Sequence, residues 1–177
     1  MMNLITKETQ RKTAVRVLSA AVFVLLASGC IFTGAGAAAQ IGFDGGIMWE
    51  LTDEGVLKIS PAIEQTKSGY PSGQMKDGED APWKSVQGLR TLVIEDGVTT
   101  IGEYAFSGCR GFTGELQIPD SVTTIGERAF SGCSGFTGPL TIPDTVKTIG
   151  HSAFEGCSGF TGPLTIPDSV DDWTLCV

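Results

Sequence analysis

The chain holds one histidine, His151, in 177 residues. A histidine base needs a fixed partner to orient it, and none is apparent for this one. Basic residues are few, 12 against 20 acidic. No two of the five cysteines stand at the short Cys-x₂₋₄-Cys spacing that zinc uses, which argues against a structural zinc site. The Gly-x-Gly runs do not follow a strand and open a helix, so no phosphate loop is indicated. Beyond the first 39 residues there is no apolar run of about 18 residues or more, so nothing else reads as membrane-spanning. A charged fraction of 18% argues against disorder.

Residues 1–39 read as a leader. Lys7, Arg11, Lys12 and Arg16 form a basic head, Val17–Phe32 is an apolar run, and Ala37-Ala38-Ala39 before Gln40 satisfies the small-x-small rule for cleavage. A second reading is a lipobox, Ala27-Ser28-Gly29-Cys30, in which Cys30 becomes the lipidated N-terminus. A third is an uncleaved anchor. Each places the remainder outside the cytoplasm, secreted or at the cell surface, with membrane contact only through the leader or a lipid. The leader carries four of the 12 basic residues and one of the 20 acidic ones, so the rest of the chain holds eight against 19, a net of −11. Such a chain repels polyanions, and nucleic acid is not expected as a partner.

What the chain does have is a repeat. Leu92–Glu115 (LVIEDGVTTIGEYAFSGCRGFTGE), Leu116–Pro139 (LQIPDSVTTIGERAFSGCSGFTGP) and Leu140–Pro163 (LTIPDTVKTIGHSAFEGCSGFTGP) are copies, and a fourth opens at Leu164 as LTIPDSV. Ile94, Ile118, Ile142 and Ile166 lie 24 residues apart, as do Phe106, Phe130 and Phe154. A fixed period of about 20–29 residues predicts a β-rich solenoid of stacked coils. Within a copy, Leu-x-Ile alternates like a strand, with its middle residue on the opposite face. Pro-Asp-Ser then reads as a turn, the aspartate bonding local backbone. Val122–Ile125 is a second β-prone piece. Gly126 breaks it, and Glu127–Cys133 predicts one helical or 3-10 turn that drives Phe130 inward. One coil buries too little to hold itself, so stacking must supply both ladder hydrogen bonds and apolar neighbours.

The combined motif, LTIPDSVTTIGxxAFxGC at constant spacing, resembles the BspA-like leucine-rich repeats, a bacterial-surface type. The resemblance implies a curved solenoid with short parallel strands on its inner face. It also implies an exported or cell-surface role in adhesion or protein binding, with a protein or a host or matrix surface as partner. On that inner face Val93, Gln117, Thr141 and Thr165 are expected in a row, flanked by Glu115, and these five are the candidate binding residues. The family often places a Trp-and-DxG hairpin ahead of its repeats. Met48–Ser60 fits it, with Asp53-Glu54-Gly55 as the turn.

The chain thus divides into a leader (1–39), an N-terminal cap hairpin and loop (40–91), repeats (92–170) and an atypical tail (171–177). Within the cap region, Pro61–Asp80 is Gly-, Ser- and Pro-rich and is expected to be an exposed loop, while Trp83 is expected to pack back on the first coil. After Val170 the template demands Thr-Thr-Ile-Gly, but the chain gives Asp171-Asp172-Trp173-Thr174. That tail reads either as a fragment's edge or as an improvised lid.

The remaining chemistry candidates have plainer readings. Cys109, Cys133 and Cys157 form a column at about the inter-strand spacing and are expected as buried thiols. Asp120, Asp144 and Asp168 stack at the turns and are read as turn formers rather than calcium ligands. His151 aligns with Glu103 and Glu127, at an outward, variable position. No catalytic residue, metal or cofactor is expected, and the chain is read as non-enzymatic. The alternative to a binding protein is a structural spacer, or the N-terminal part of a larger surface array, with no ligand of its own.

Overall fold

The computed structural model describes residues 31–32, 40–62, 71–78, 80–170 and 172–173. The leader's basic head, its cleavage site, Cys30 and the tail from residue 174 lie outside these. The chain divides after Ile31, and the part from Phe32 onward forms one unit; of β1 (Ile31–Phe32) only the strand backbone is described. Among the described residues no helix is long and apolar enough to cross a membrane.

The first elements form an antiparallel meander. β2 (Gln40–Asp44) turns at Gly45-Gly46 into β3 (Ile47–Leu51), pairing Asp44 with Ile47 and Gln40 with Leu51. Strict alternation puts Ile47, Trp49 and Leu51 on the buried side of β3. The turn at residues 52–55 leads to β4 (Val56–Pro61), which pairs antiparallel with β3 from Leu57 opposite Leu51 to Pro61 opposite Ile47. Gly55 has φ +82°, the left-handed conformation such a turn needs. The strand pair around Asp53-Glu54-Gly55 matches the hairpin motif, while β2 is an additional strand on the other side of β3.

β4 also begins the repeats. It pairs in parallel with β5 (Thr91–Ile94), Leu57 beside Leu92 and Ile59 beside Ile94, so Leu57-Lys58-Ile59 occupies the Leu-x-Ile position of a coil. The step is 35 residues rather than 24. The extra length falls where an exposed loop was expected; in its described part Pro71, Ser72, Lys76, Asp77 and Asp80 are exposed, but the residues between them are tied to the first coil. Gln74 bridges Thr100 in parallel. The N–H groups of Met75 and Gly78 donate to the carbonyls of Thr100 and Glu103 at 3.1 and 2.6 Å. Gly73, Met75 and Gly78 are buried. The Gly/Ser/Pro composition hid this bridged segment because its inward signal has shrunk to one apolar side chain, Met75. A 3-10 helix, Pro82–Ser85, then delivers Trp83 to the core.

The ladder that unites the copies is the Thr-Ile piece. β6 (Thr100–Ile101), β7 (Thr124–Ile125), β9 (Thr148–Ile149) and β11 (Asp172–Trp173) pair in parallel, each with the residue 24 positions on. The backbone therefore keeps register at Asp172 and Trp173, where the side chains leave the template. The Leu-x-Ile ladder is interrupted. β8 (Leu140–Thr141) pairs with β10 (Leu164–Thr165), but Leu116–Ile118 is in no strand. Its alternation survives without the ladder: Leu116 and Ile118 are buried and Gln117 is exposed.

The AFxGC segment forms no helix, contrary to expectation. Its amides alternate between two destinations. The N–H groups of Arg128, Phe130 and Gly132 donate to His151, Ala153 and Glu155 of the next coil, and those of Ala129, Ser131 and Cys133 donate three residues back. Neighbouring coils claim every second amide, which no α- or 3-10 helix allows. The geometry holds Tyr104, Arg128 and Ser152 at φ 55°, 49° and 55°, an unusual conformation for residues with a Cβ.

The core runs along the stack as columns. Trp83, Phe106, Phe130 and Phe154 stack in sequence with ring centroids 5.7, 5.2 and 5.3 Å apart. A second column, Phe112, Phe136 and Phe160, has spacings of 5.6 and 5.9 Å. The columns meet edge to face at Phe106–Phe112 and Phe130–Phe136, a favoured arrangement of aromatic quadrupoles. Trp49 of the meander meets Trp83 edge on at 6.1 Å, and the Trp83 indole N–H donates to the Ala105 carbonyl at 2.9 Å. The hairpin and the coils thereby share one core.

Candidate interaction face

The Leu-x-Ile positions present the middle side chain of each coil outward, and in the fourth copy Leu164 is exposed as well. Val93, Gln117, Thr141 and Thr165 are all exposed, as is Glu115. Thr141 and Thr165 are in register, and Lys58 of β4 stands opposite Val93. Gln117 has no strand partner on either side, so the expected row is formed in two halves rather than as one ladder. Its amide instead donates to the Glu115 carboxylate at 3.2 Å, tying the two polar residues of that coil together. Lys58 belongs to the face and was not among the expected residues, because the hairpin reading concealed its place in a coil. It pairs with Glu95 at 2.9 Å, and the hydrogen bond from its ammonium to that carboxylate holds it above the usual lysine range. The face is therefore hydroxyl- and amide-rich, with one apolar side chain (Val93) and one ion pair at its meander end.

A second surface feature lies at the AFxGC turns. The Tyr104 hydroxyl donates to Glu127 Oε1 at 3.1 Å. The Arg128 guanidinium reaches that hydroxyl at 3.1 Å and the same carboxylate oxygen at 3.0 Å, with its carbon 5.9 Å from the Tyr104 ring centre. Glu155 of the following coil adds a looser contact at 4.0 Å. Three coils are cross-tied here by residues at variable positions, which periodicity alone does not mark.

The other candidates fall into place around these. Cys109, Cys133 and Cys157 are free and buried. The Cys133 thiol lies 3.1 Å from the Phe106 carbonyl and the Cys157 thiol 3.1 Å from the Phe130 carbonyl, each a weak S–H donor to the coil before. Burial pushes Cys109 and Cys157 up to about 11 and Cys133 further still. These are protonated, unreactive thiols. His151 is exposed. Asp120, Asp144 and Asp168 are exposed, and among the described residues their carboxylates make no hydrogen bond. The turns are closed instead by Val122, Val146 and Val170 N–H groups donating to the carbonyls of Pro119, Pro143 and Pro167. Ser121 and Ser169 hydroxyls add bonds to Val98 and Val146 of the preceding coil.

Residues 83–173 match the family described as BspA type Leucine rich repeat region (6 copies). No curated protein matches the chain. Among solved structures it is similar to a leucine rich cell surface protein from Faecalibacterium prausnitzii A2-165, at 23% identity and a TM-score of 0.46, over 77% of this chain and 45% of that one. The chain thus spans less than half the length of that protein. With over half of its residues matched to one family model, and with the family's motif recurring in register through the core, this chain belongs to the BspA type leucine-rich repeat family.

Proposed function

We propose that the chain is exported and displayed at a cell surface, and that it binds a protein or a host or matrix surface without catalysing a reaction. In this reading the repeats form a curved solenoid whose inner strand face, built on Val93, Gln117, Thr141 and Thr165 with Glu115 beside them, is the contact surface. The observation that carries it is the alternation of burial: Leu92, Ile94, Leu116, Ile118, Leu140 and Ile142 are sealed in the core, and the residue between each pair is exposed. Repeat proteins use such extended surfaces for binding. The leader supports export, and the protonated, buried thiols support a non-enzymatic role.

The test is binding of the purified chain to immobilised extracellular-matrix proteins and to host cells, comparing wild type with the Gln117→Arg/Thr141→Arg double variant. Binding should fall by about tenfold or more in the variant, with the unfolding midpoint unchanged. A control at the turns, Asp144→Arg, should bind as the wild type does. Equal binding by all three would rule out the strand face as the contact surface and leave the coils as a spacer.

A further inference from the structure

We propose that the cleft between the turn at residues 52–55 and the segment at residues 86–90 binds a di- or tripeptide with free termini. The cleft has a volume of about 520 Å³, within the range of small-molecule sites. A cube of that volume is roughly 8 Å on a side, the length of about two to three extended residues. Leu51 and Val86 supply its apolar lining. Asp53 and Glu54 come from the hairpin turn; Gln87 and Arg90 come from the loop before β5.

Both walls are held in place by backbone. The turn is closed by Gly55 N–H donating to the Thr52 carbonyl at 3.1 Å and Thr52 N–H to the Val56 carbonyl at 3.0 Å. The Gly55 carbonyl accepts from the N–H groups of Arg90 and Thr91, at 2.8 and 3.2 Å, which fastens one wall to the other. Asp53, Glu54 and Arg90 thus line one cleft, yet among the described residues no ion pair joins Arg90 to Asp53 or Glu54. Hydrogen bonds with the Thr52 hydroxyl, its own backbone N–H and the Asp53 side chain hold the Glu54 carboxyl below the usual carboxylate range. Opposite charges in one concave site with no ion pair between them suit a ligand that carries both. A peptide ammonium would meet Asp53 and Glu54, its carboxylate would meet the Arg90 guanidinium, which favours bidentate carboxylate binding, and Gln87 would serve the amide between them. This site is separate from the strand face, and its test does not depend on that face.

The test is calorimetric titration of the full chain with trialanine, N-acetyl-trialanine and trialanine amide. Trialanine should bind saturably, and blocking either end should weaken it by about tenfold or more. Arg90→Gln should weaken trialanine equally and erase its advantage over the amide, while Arg90→Lys, which keeps the charge but loses the planar fork, should recover only part of the affinity. Asp53→Asn with Glu54→Gln should erase the advantage over the acetylated peptide. Unchanged unfolding midpoints would establish that these variants fold. Failure of trialanine to bind, equal binding of the blocked peptides, or binding that survives both sets of substitutions would overturn the proposal.

Discussion

At the scale of single residues, backbone approach and thiol burial set the sharpest constraints. A Cβ at Gly126 would lie 2.5 Å from the Glu103 nitrogen and 2.7 Å from the Gly102 carbonyl carbon, main-chain atoms that cannot step aside. Gly126→Ala should therefore destabilise the fold by about 2–4 kcal/mol, read as a drop in the urea midpoint with little change in slope. The cysteine column makes a pH prediction. In the folded chain Cys109 and Cys157 are raised from an ordinary 9.0 to about 11, so the native state holds protons that the unfolded state releases. Stability from these thiols is whole below pH 9 and declines as pH rises from about 9 to about 11. Replacing Cys109 and Cys157 with alanine should make the decline over that window shallower, leaving the share that Cys133 contributes. A thiol reagent at pH 8 should label the three column cysteines only on unfolding.

At the scale of elements, the coil encodes some of its parts openly and others hardly at all. The Leu-x-Ile alternation, the inward Phe130 and the buried Cys133 were legible, because each is an apolar residue repeated at constant spacing. The coil that begins at Leu57 was not, since its period is stretched and the residues that replace the motif, Met75 and Trp83, share its packing but not its letters. The turn at AFxGC was misread as helical because local spacing cannot show that alternate amides are taken by the next coil. The same blindness placed the aspartates in the turn bonds that proline carbonyls and serine hydroxyls make. Of the candidate face, the five expected residues are all exposed; Lys58 was hidden by the stretched coil. Met75→Asp tests the concealed packing of its segment. It should cost about 3 kcal/mol or more by burying a charge without a partner, whereas an exposed loop would tolerate it within about 0.5 kcal/mol. Amide exchange provides a second check, with Met75 and Gly78 expected to be as protected as Ile125.

At the scale of the whole molecule, stability is shared along the stack, so position within a column should decide the cost of losing a ring. Phe130 is fully buried between two stacked neighbours, while Phe160, at the end of its column, is half-buried. Phe130→Ala should cost about 3–5 kcal/mol and Phe160→Ala markedly less, by equilibrium unfolding. Both the fold and its exposed face rest on successive copies stacking in register at one 24-residue step. Nuclear Overhauser contacts between assigned ring protons read that step without an intermediary. Stacking in register predicts cross-peaks for Phe106–Phe130 and Phe130–Phe154, whose centroids lie 5.2 and 5.3 Å apart, and none between Phe106 and Phe154. A Phe106–Phe154 contact, or the absence of both neighbouring ones in the folded chain, would contradict it.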